Sequence, residues 1–165
     1  MIRLPRPHYE AIVAHAQREA PRECCGLLAG RGDLVERVYQ IANRADQAAD
    51  LFAERDLMPR VGADPALLPT ERYFMDPEEL FRALRDIEAQ GLEHIANYHS
   101  HPATPARPSR TDIEFAAYWP HVYHLICSLA DPERPDLRAF RIVDGQVTEV
   151  PIVVEDTSGG RVANL

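Results

Sequence analysis

"NYHSHPATPARPSRTD", residues 97–112, sets two histidines one residue apart, then a loop with three prolines, then a serine and an aspartate three residues apart. The stretch reads either as a metal site or as a polar loop that starts a helix with good capping chemistry. In a strand, residues i and i+2 point to the same face, so His99 and His101 present both imidazoles toward one point. A His-x-His pair alone is more commonly a solvated edge pair. Ser109 and Asp112, however, open a helix directly after a short loop, which puts Asp112 in its first turn. From there the carboxylate can swing back toward the strand end. Two imidazoles and one carboxylate leave a fourth tetrahedral position open, the arrangement of a catalytic zinc site. Ser109-x-x-Asp112 equally satisfies a capping box, with the acid favoured by the helix dipole. The two readings are compatible, because a capped helix fixes the ligand's direction. On these residues alone the choice stays open.

A metal-activated water needs a base to take its proton. Glu23, in "APRECCGLLAG" (20–30), stands at the head of an apolar strand, where a carboxylate can be half-buried. The competing reading is a solvated glutamate in a helix-to-strand loop.

The chain has 165 residues, 45% hydrophobic and 27% charged, the balance of one globular domain. Its net charge of −8 argues against nucleic acid or an anionic membrane as partner, since both reward basic patches. No apolar run reaches the roughly 18 residues of a membrane span, and "MIRLPRPHYE" lacks a signal-peptide core. The expectation is a cytoplasmic protein. Three cysteines, two of them adjacent, do not form a disulfide framework; buried thiols are expected at Cys24, Cys25 and Cys127.

Working outward, Tyr9, Ile12, Val13, Ala16 and Ala20 mark an amphipathic first helix stopped by Pro21. "ECCGLLAG" (23–30) and "LVERVYQIA" (34–42) read as a hairpin across the turn "GRGD". Residues 44–71 fit no period and read as an insertion. "MDPEELFRALRDIEAQG" (75–91) predicts a helix with Asp76 as N-cap, Pro77 at its first position and Glu79 completing a capping-box-like pair. Its expected apolar face is Leu80, Phe81, Leu84 and Ile87, and Gly91 closes it. "LEHIANYHS" (92–100) is a strand, residues 102–108 are loop, and a helix runs from about Ser109 to Trp119 with Ile113, Ala116 and Ala117 inward. "VYHLICSLA" (122–130) is a strand, and "LRAFRIVDGQVTEVPIVV" (137–154) is a hairpin around Asp144-Gly145. His94 is expected on the strand face opposite His99, and His121 and His124 at ordinary polar positions. The interleaving implies an α/β domain over residues 1–155, a mixed β-sheet with hairpins packed against about three helices, plus a flexible tail at 156–165.

Glu23, His99-Ser100-His101-Pro102, six residues, then Ser109 and Asp112 resembles the JAMM motif. That motif marks the metalloprotease branch of the MPN (Mov34/PAD-1) superfamily, whose fold is cytidine deaminase-like. The ending "LRAFRIVDGQVTEVPIVVED" further resembles bacterial cysteine-releasing JAMM peptidases, which act on ubiquitin-like sulfur carrier proteins. The resemblance implies Zn2+ held by His99, His101 and Asp112, Glu23 as general base and then acid, and Ser109 helping to hold the oxyanion. The implied partner is a sulfur carrier with a Gly-Gly tail, from which an attached amino acid, cysteine first, is released. Insertion 44–71 departs from the family's minimal pattern and is open to three roles: a lid, a carrier-docking surface, or a contact in a homodimer. Rival classes are a deconjugating isopeptidase, a non-catalytic scaffold of the same fold, and a deaminase-like hydrolase. The last expects a His-x-Glu and a Pro-Cys-x-x-Cys pair, which "HSH" and "ECCG" do not supply.

Overall fold

The apolar run behind Glu23 becomes strand Cys25–Arg31, buried at six of its seven residues. It is β2 of eight. The others are Ile2–Pro5 (β1), Leu34–Ile41 (β3), Glu93–His101 (β4), Tyr123–Ser128 (β5), Asp136–Val143 (β6), Gln146–Val150 (β7) and Ile152–Glu155 (β8). The structure, a computed structural model, describes residues 1–58 and 64–156. The sheet is mixed as expected, in the order β7-β6-β5-β4-β2-β3-β1-β8. Its parallel pairs are β4 with β5, and β1 with both β3 and β8. Both expected hairpins form, β2–β3 and β6–β7. The second turns on Asp144 and Gly145 at φ 51° and 76°, the left-handed pair that a two-residue hairpin loop needs.

The end of the chain departs from the simple hairpin. Pro151 has no N–H to donate, and there the strand stops pairing with β6. Beyond it, Ile152–Glu155 pairs in parallel with β1 at the far end of the strand order. One kinked strand thus joins both ends of the sheet. Strand β1 itself was not expected; at four residues, with Ile2 and Leu4 buried and Arg3 and Pro5 half-buried, it is too short to show a period.

Four α-helices are described: Arg6–Glu19 (α1), Ala49–Glu54 (α2), Pro77–Ala89 (α3) and Arg110–Phe115 (α4). The fourth beyond the expected three, α2, lies in insertion 44–71, flanked by 3-10 turns at Ala45–Gln47 and Pro65–Thr70. Helix α1 covers one face of the sheet, burying Ile12 and Ala16 against Ile2, Leu28 and Tyr98. Ala20 is exposed, because α1 ends at Glu19. Gly26 is required on that sheet: a Cβ there would lie 2.3 Å from the Tyr39 carbonyl and 2.4 Å from the Tyr98 ring.

The opposite face carries the other helices. Helix α3 packs Ala83 and Ile87 on Cys25 and Leu27. Phe81, expected inward, is 59% exposed, and the smaller Ala83 takes the core position. Asp76 caps α3 through the Glu78 and Glu79 N–H groups. The Glu79 carboxylate does not close a box on it; instead it accepts the Ala42 N–H at 2.9 Å. Helix α4 and its 3-10 continuation, Ala116–Tyr118, bury Ala116 on Ile126 and Phe140. Ala117 faces out, since the tightened turn rotates it off the core. All three cysteines are free and buried as expected. No helix among the described residues is long and apolar enough to cross a membrane. The tail expected from 156 onward lies, from 157, outside the described residues.

Candidate metal centre

His99 and His101 end β4 on one face, with their Nε2 atoms 3.1 Å apart. Asp112 Oδ2, delivered by the first turn of α4, stands 3.2 Å from each. The capping reading and the ligand reading both hold. Ser109 Oγ accepts the Asp112 N–H at 3.1 Å, and Asp112 Oδ2 accepts the Ser109 N–H at 2.8 Å. His101 Nδ1 lies 2.8 Å from the Pro105 carbonyl, to which it can only donate, so Nε2 is the nitrogen left to face the cluster. Tyr73 stacks on His99, centroids 4.5 Å apart at 20°, and holds that ring's plane.

Three electron-rich atoms converging this closely call for a cation. Ligands about 2.0–2.1 Å from a tetrahedral zinc sit roughly 3.3 Å apart, close to the spacing here. A ligating histidine whose other nitrogen donates to a backbone carbonyl is the usual supporting arrangement. The donor set fits zinc.

Glu23 is 6% exposed, deeper than the half-burial expected. Burial first, and the Asp112 carboxylate second, push its carboxyl up to about 8. Burial would lower His101, but its hydrogen bond and charge pairing with Asp112 outweigh that and raise it to about 9. Burial would likewise raise Asp112, but the two imidazoles hold it well below its ordinary value.

Two residues that sequence reasoning passed over hold Glu23 in place. Ser100 points away from its flanking histidines, and its Oγ accepts the Cys24 N–H at 2.7 Å. Asn43, 5% exposed, donates from Nδ2 to the Glu23 and Arg72 carbonyls, both at 3.0 Å. Its Oδ1 accepts the Ala45 and Phe74 N–H groups. Asn43 therefore ties the Glu23 segment to both ends of the insertion.

A third residue is His124, expected to be ordinary. It is buried in β5 beside Asn97 of β4. Burial, then the neighbouring His99, lower it to about 4, so it is neutral at pH 7. His94 also departs from expectation. The β2–β4 register slips between Leu28 and Ala29, which pair with Ala96 and His94 and leave Ile95 as a bulge. The bulge swings His94 to the His99 face, where its Nε2 meets Asn97 Oδ1 at 2.7 Å. Trp119 packs edge-on against it. His121, outside the strand, is exposed. Between α3 and α4 lies a cavity of about 330 Å³, reaching from His99 and Asp112 to His124 and Trp119.

Sequence comparison places this geometry among relatives. A family model described as prokaryotic homologs of the JAB domain matches residues 5–143. The CysO-cysteine peptidase of Mycobacterium tuberculosis is 39% identical over 146 residues, 87% of this chain and 84% of that one. A probable TtuB-protein conjugate cleaving protease of Thermus thermophilus is 36% identical over 151 residues, 92% and 81% of the two chains. The solution structure of a Desulfitobacterium hafniense protein superposes with a TM-score of 0.72 at 37% identity, covering 94% of each chain. With most of its length matched on both counts and the His-x-His and Asp cluster assembled, this chain belongs to the JAMM/MPN proteins as one of the prokaryotic homologs of the JAB domain.

Proposed function

We propose that the protein is a zinc-dependent peptidase that cuts after the C-terminal Gly-Gly of a ubiquitin-like sulfur carrier protein and releases the attached amino acid, cysteine first. The observation that carries the reading is the convergence of His99, His101 and Asp112 with buried Glu23 beside them. The family membership and the name of the M. tuberculosis relative support the substrate class. His99, His101 and Asp112 would hold the metal. When bound there, zinc acidifies a water and polarises the scissile carbonyl.

The chain's own residues do the rest. Glu23 takes the attacking water's proton; its burial, which favours the protonated carboxyl, lets it hold that proton until it is given up. It passes that proton to the departing amine. Ser109 Oγ accepts from Asp112 but keeps its O–H, which it donates to the oxygen that becomes negative as the carbonyl is attacked. His101, fixed by Pro105, and His99, fixed by Tyr73, keep their Nε2 atoms aimed at one point. Residues 1–155 act as one domain in this reading, and the three free thiols suit a reducing cytoplasm.

A second reading, cleavage of protein conjugates of the carrier, is favoured by the name of the T. thermophilus relative. Intact-mass analysis of a carrier ending in Gly-Gly-Cys, incubated with the protein with and without a chelator, separates the two. Loss of one cysteine mass, blocked by the chelator, is the expected result. An unchanged mass with conjugates cut instead selects the second reading; neither cut rejects both.

A further inference from the structure

An enzyme that releases a single amino acid meets a group that an internal peptide bond lacks, the free α-carboxylate of the departing residue. That anion approaches a chain of net charge −8, at a cavity whose wall already carries Glu71 and Asp112. The carboxylate carbon stands two bonds from the nitrogen that Glu23 protonates. A cation that receives it therefore has to stand beside Glu23.

Arg72 occupies that position. Among the described residues it is the only arginine or lysine lining the cavity that holds His99 and Asp112. It directly precedes Tyr73, which stacks on His99. Its carbonyl and that of Glu23 accept from the same Asn43 Nδ2, both at 3.0 Å. Burial and then Asp112 dominate the Glu23 carboxyl, but Arg72 opposes them and so lies within electrostatic reach of it.

The guanidinium is held without being neutralised. Nε donates to the Leu57 carbonyl at 2.8 Å, and Nη1 donates to the Glu71 carbonyl at 2.7 Å through a bond open to solvent. Both acceptors are uncharged, and no carboxylate among the described residues pairs with Arg72. Two of its N–H groups are thus engaged, leaving Nη2 and one N–H of Nη1. Two backbone carbonyls fix the plane of the fork, and a carboxylate is the ligand that fork matches.

We infer that Arg72 receives the α-carboxylate of the departing amino acid, which makes it a specificity-determining residue for release of a terminal residue. The inference rests on the peptidase reading. In a lysine-linked conjugate the departing nitrogen is a side-chain amine, with no carboxylate beside it to meet the arginine.

The test gives the zinc-loaded protein carriers ending in Gly-Gly-Cys and the same carriers ending in Gly-Gly-Cys-amide. Both bear the thiol, so any thiol–metal effect cancels. The acid should exceed the amide in kcat/KM by about 10–100-fold, the scale of a charge-assisted hydrogen bond. In Arg72→Gln that ratio should fall to about one, and Arg72→Lys, which keeps the charge but not the fork, should give an intermediate ratio. Footprinting with phenylglyoxal, which modifies arginines, asks the same question with Arg72 intact. In zinc-loaded Glu23→Gln protein, where the carrier stays uncut, the acid should shield Arg72 and the amide should not. Equal rates for acid and amide overturn the inference and leave Arg72 a strut for the insertion. A ratio undiminished in Arg72→Gln overturns it too, as does equal shielding by both carriers should that variant not fold. If the wild-type protein cuts neither carrier, the peptidase reading itself fails and this inference falls with it.

Discussion

Glu23 is the residue on which turnover turns. Glu23→Gln keeps the side chain's size and leaves the three ligands untouched, so metal content should stay at one ion per chain. Turnover should drop about 10²–10⁴-fold, the range carried by a positioned acid–base group. His101→Ala should lose both metal and turnover. Near wild-type rates in Glu23→Gln, measured with metal content in the same sample, would falsify the base assignment. At this scale the convergence of His99, His101 and Asp112 was legible because strand parity and a first-turn aspartate are local geometry, whereas the roles of Glu23 and Ser109 rest on resemblance to the JAMM motif. Asn43, Ser100 and His124 were not. Asn43 works through backbone carbonyls and amides far away in sequence, and Ser100 acts on the face its histidine neighbours do not. His94 was assigned the wrong face, since one inserted residue at Ile95 reverses strand parity.

Among the elements, α4 does two jobs with one hydrogen-bond pair. Ser109→Ala removes its N-cap and should cost about 1 kcal/mol in the denaturant midpoint, while Ser109→Asn, an equally good cap, should restore stability. If Ser109 also donates to the oxyanion, Ser109→Ala should lower kcat about 10²–10³-fold, far beyond what a frayed helix start explains. The insertion makes a second test. Asn43→Ala strands the Glu23 carbonyl and the Ala45 and Phe74 N–H groups at once, so unfolding free energy should fall by about 3 kcal/mol. Turnover at temperatures where the variant remains folded should fall too. Loss of stability with full turnover would show that Asn43 holds the insertion but not the base. Helix α3 was legible nearly whole, because its cap, proline and glycine are local signals. Phe81 was misplaced because periodicity finds a stripe but not its edge. Strand β1 and the pairing of β8 with it escaped, since that pairing depends on residues 150 positions apart in sequence.

For the molecule as a whole, metal and proton compete for one cluster. In the metal-free protein both Glu23 and His101 hold protons more tightly than their unfolded counterparts. His101 therefore contributes stability that is complete below about pH 6.5 and is lost as pH rises through about 9. Glu23 adds a loss in the same direction, through about 8. The melting temperature of chelator-treated protein should fall between pH 7 and pH 9. Metal binds the deprotonated ligands, so the zinc-loaded protein should lack that fall and melt higher throughout. Parallel curves for the two forms, by calorimetry, would break the link between the cluster and stability. The kink at Pro151 carries a consequence of a different kind, one of timing. Ile2 meets Ile152, so the first strand finds its outer neighbour only after about 150 further residues have left the ribosome. Until then the outer edge of β1 stays open, and a nascent chain stalled short of Ile152 presents a raw sheet edge to whatever chaperone or sister chain arrives first.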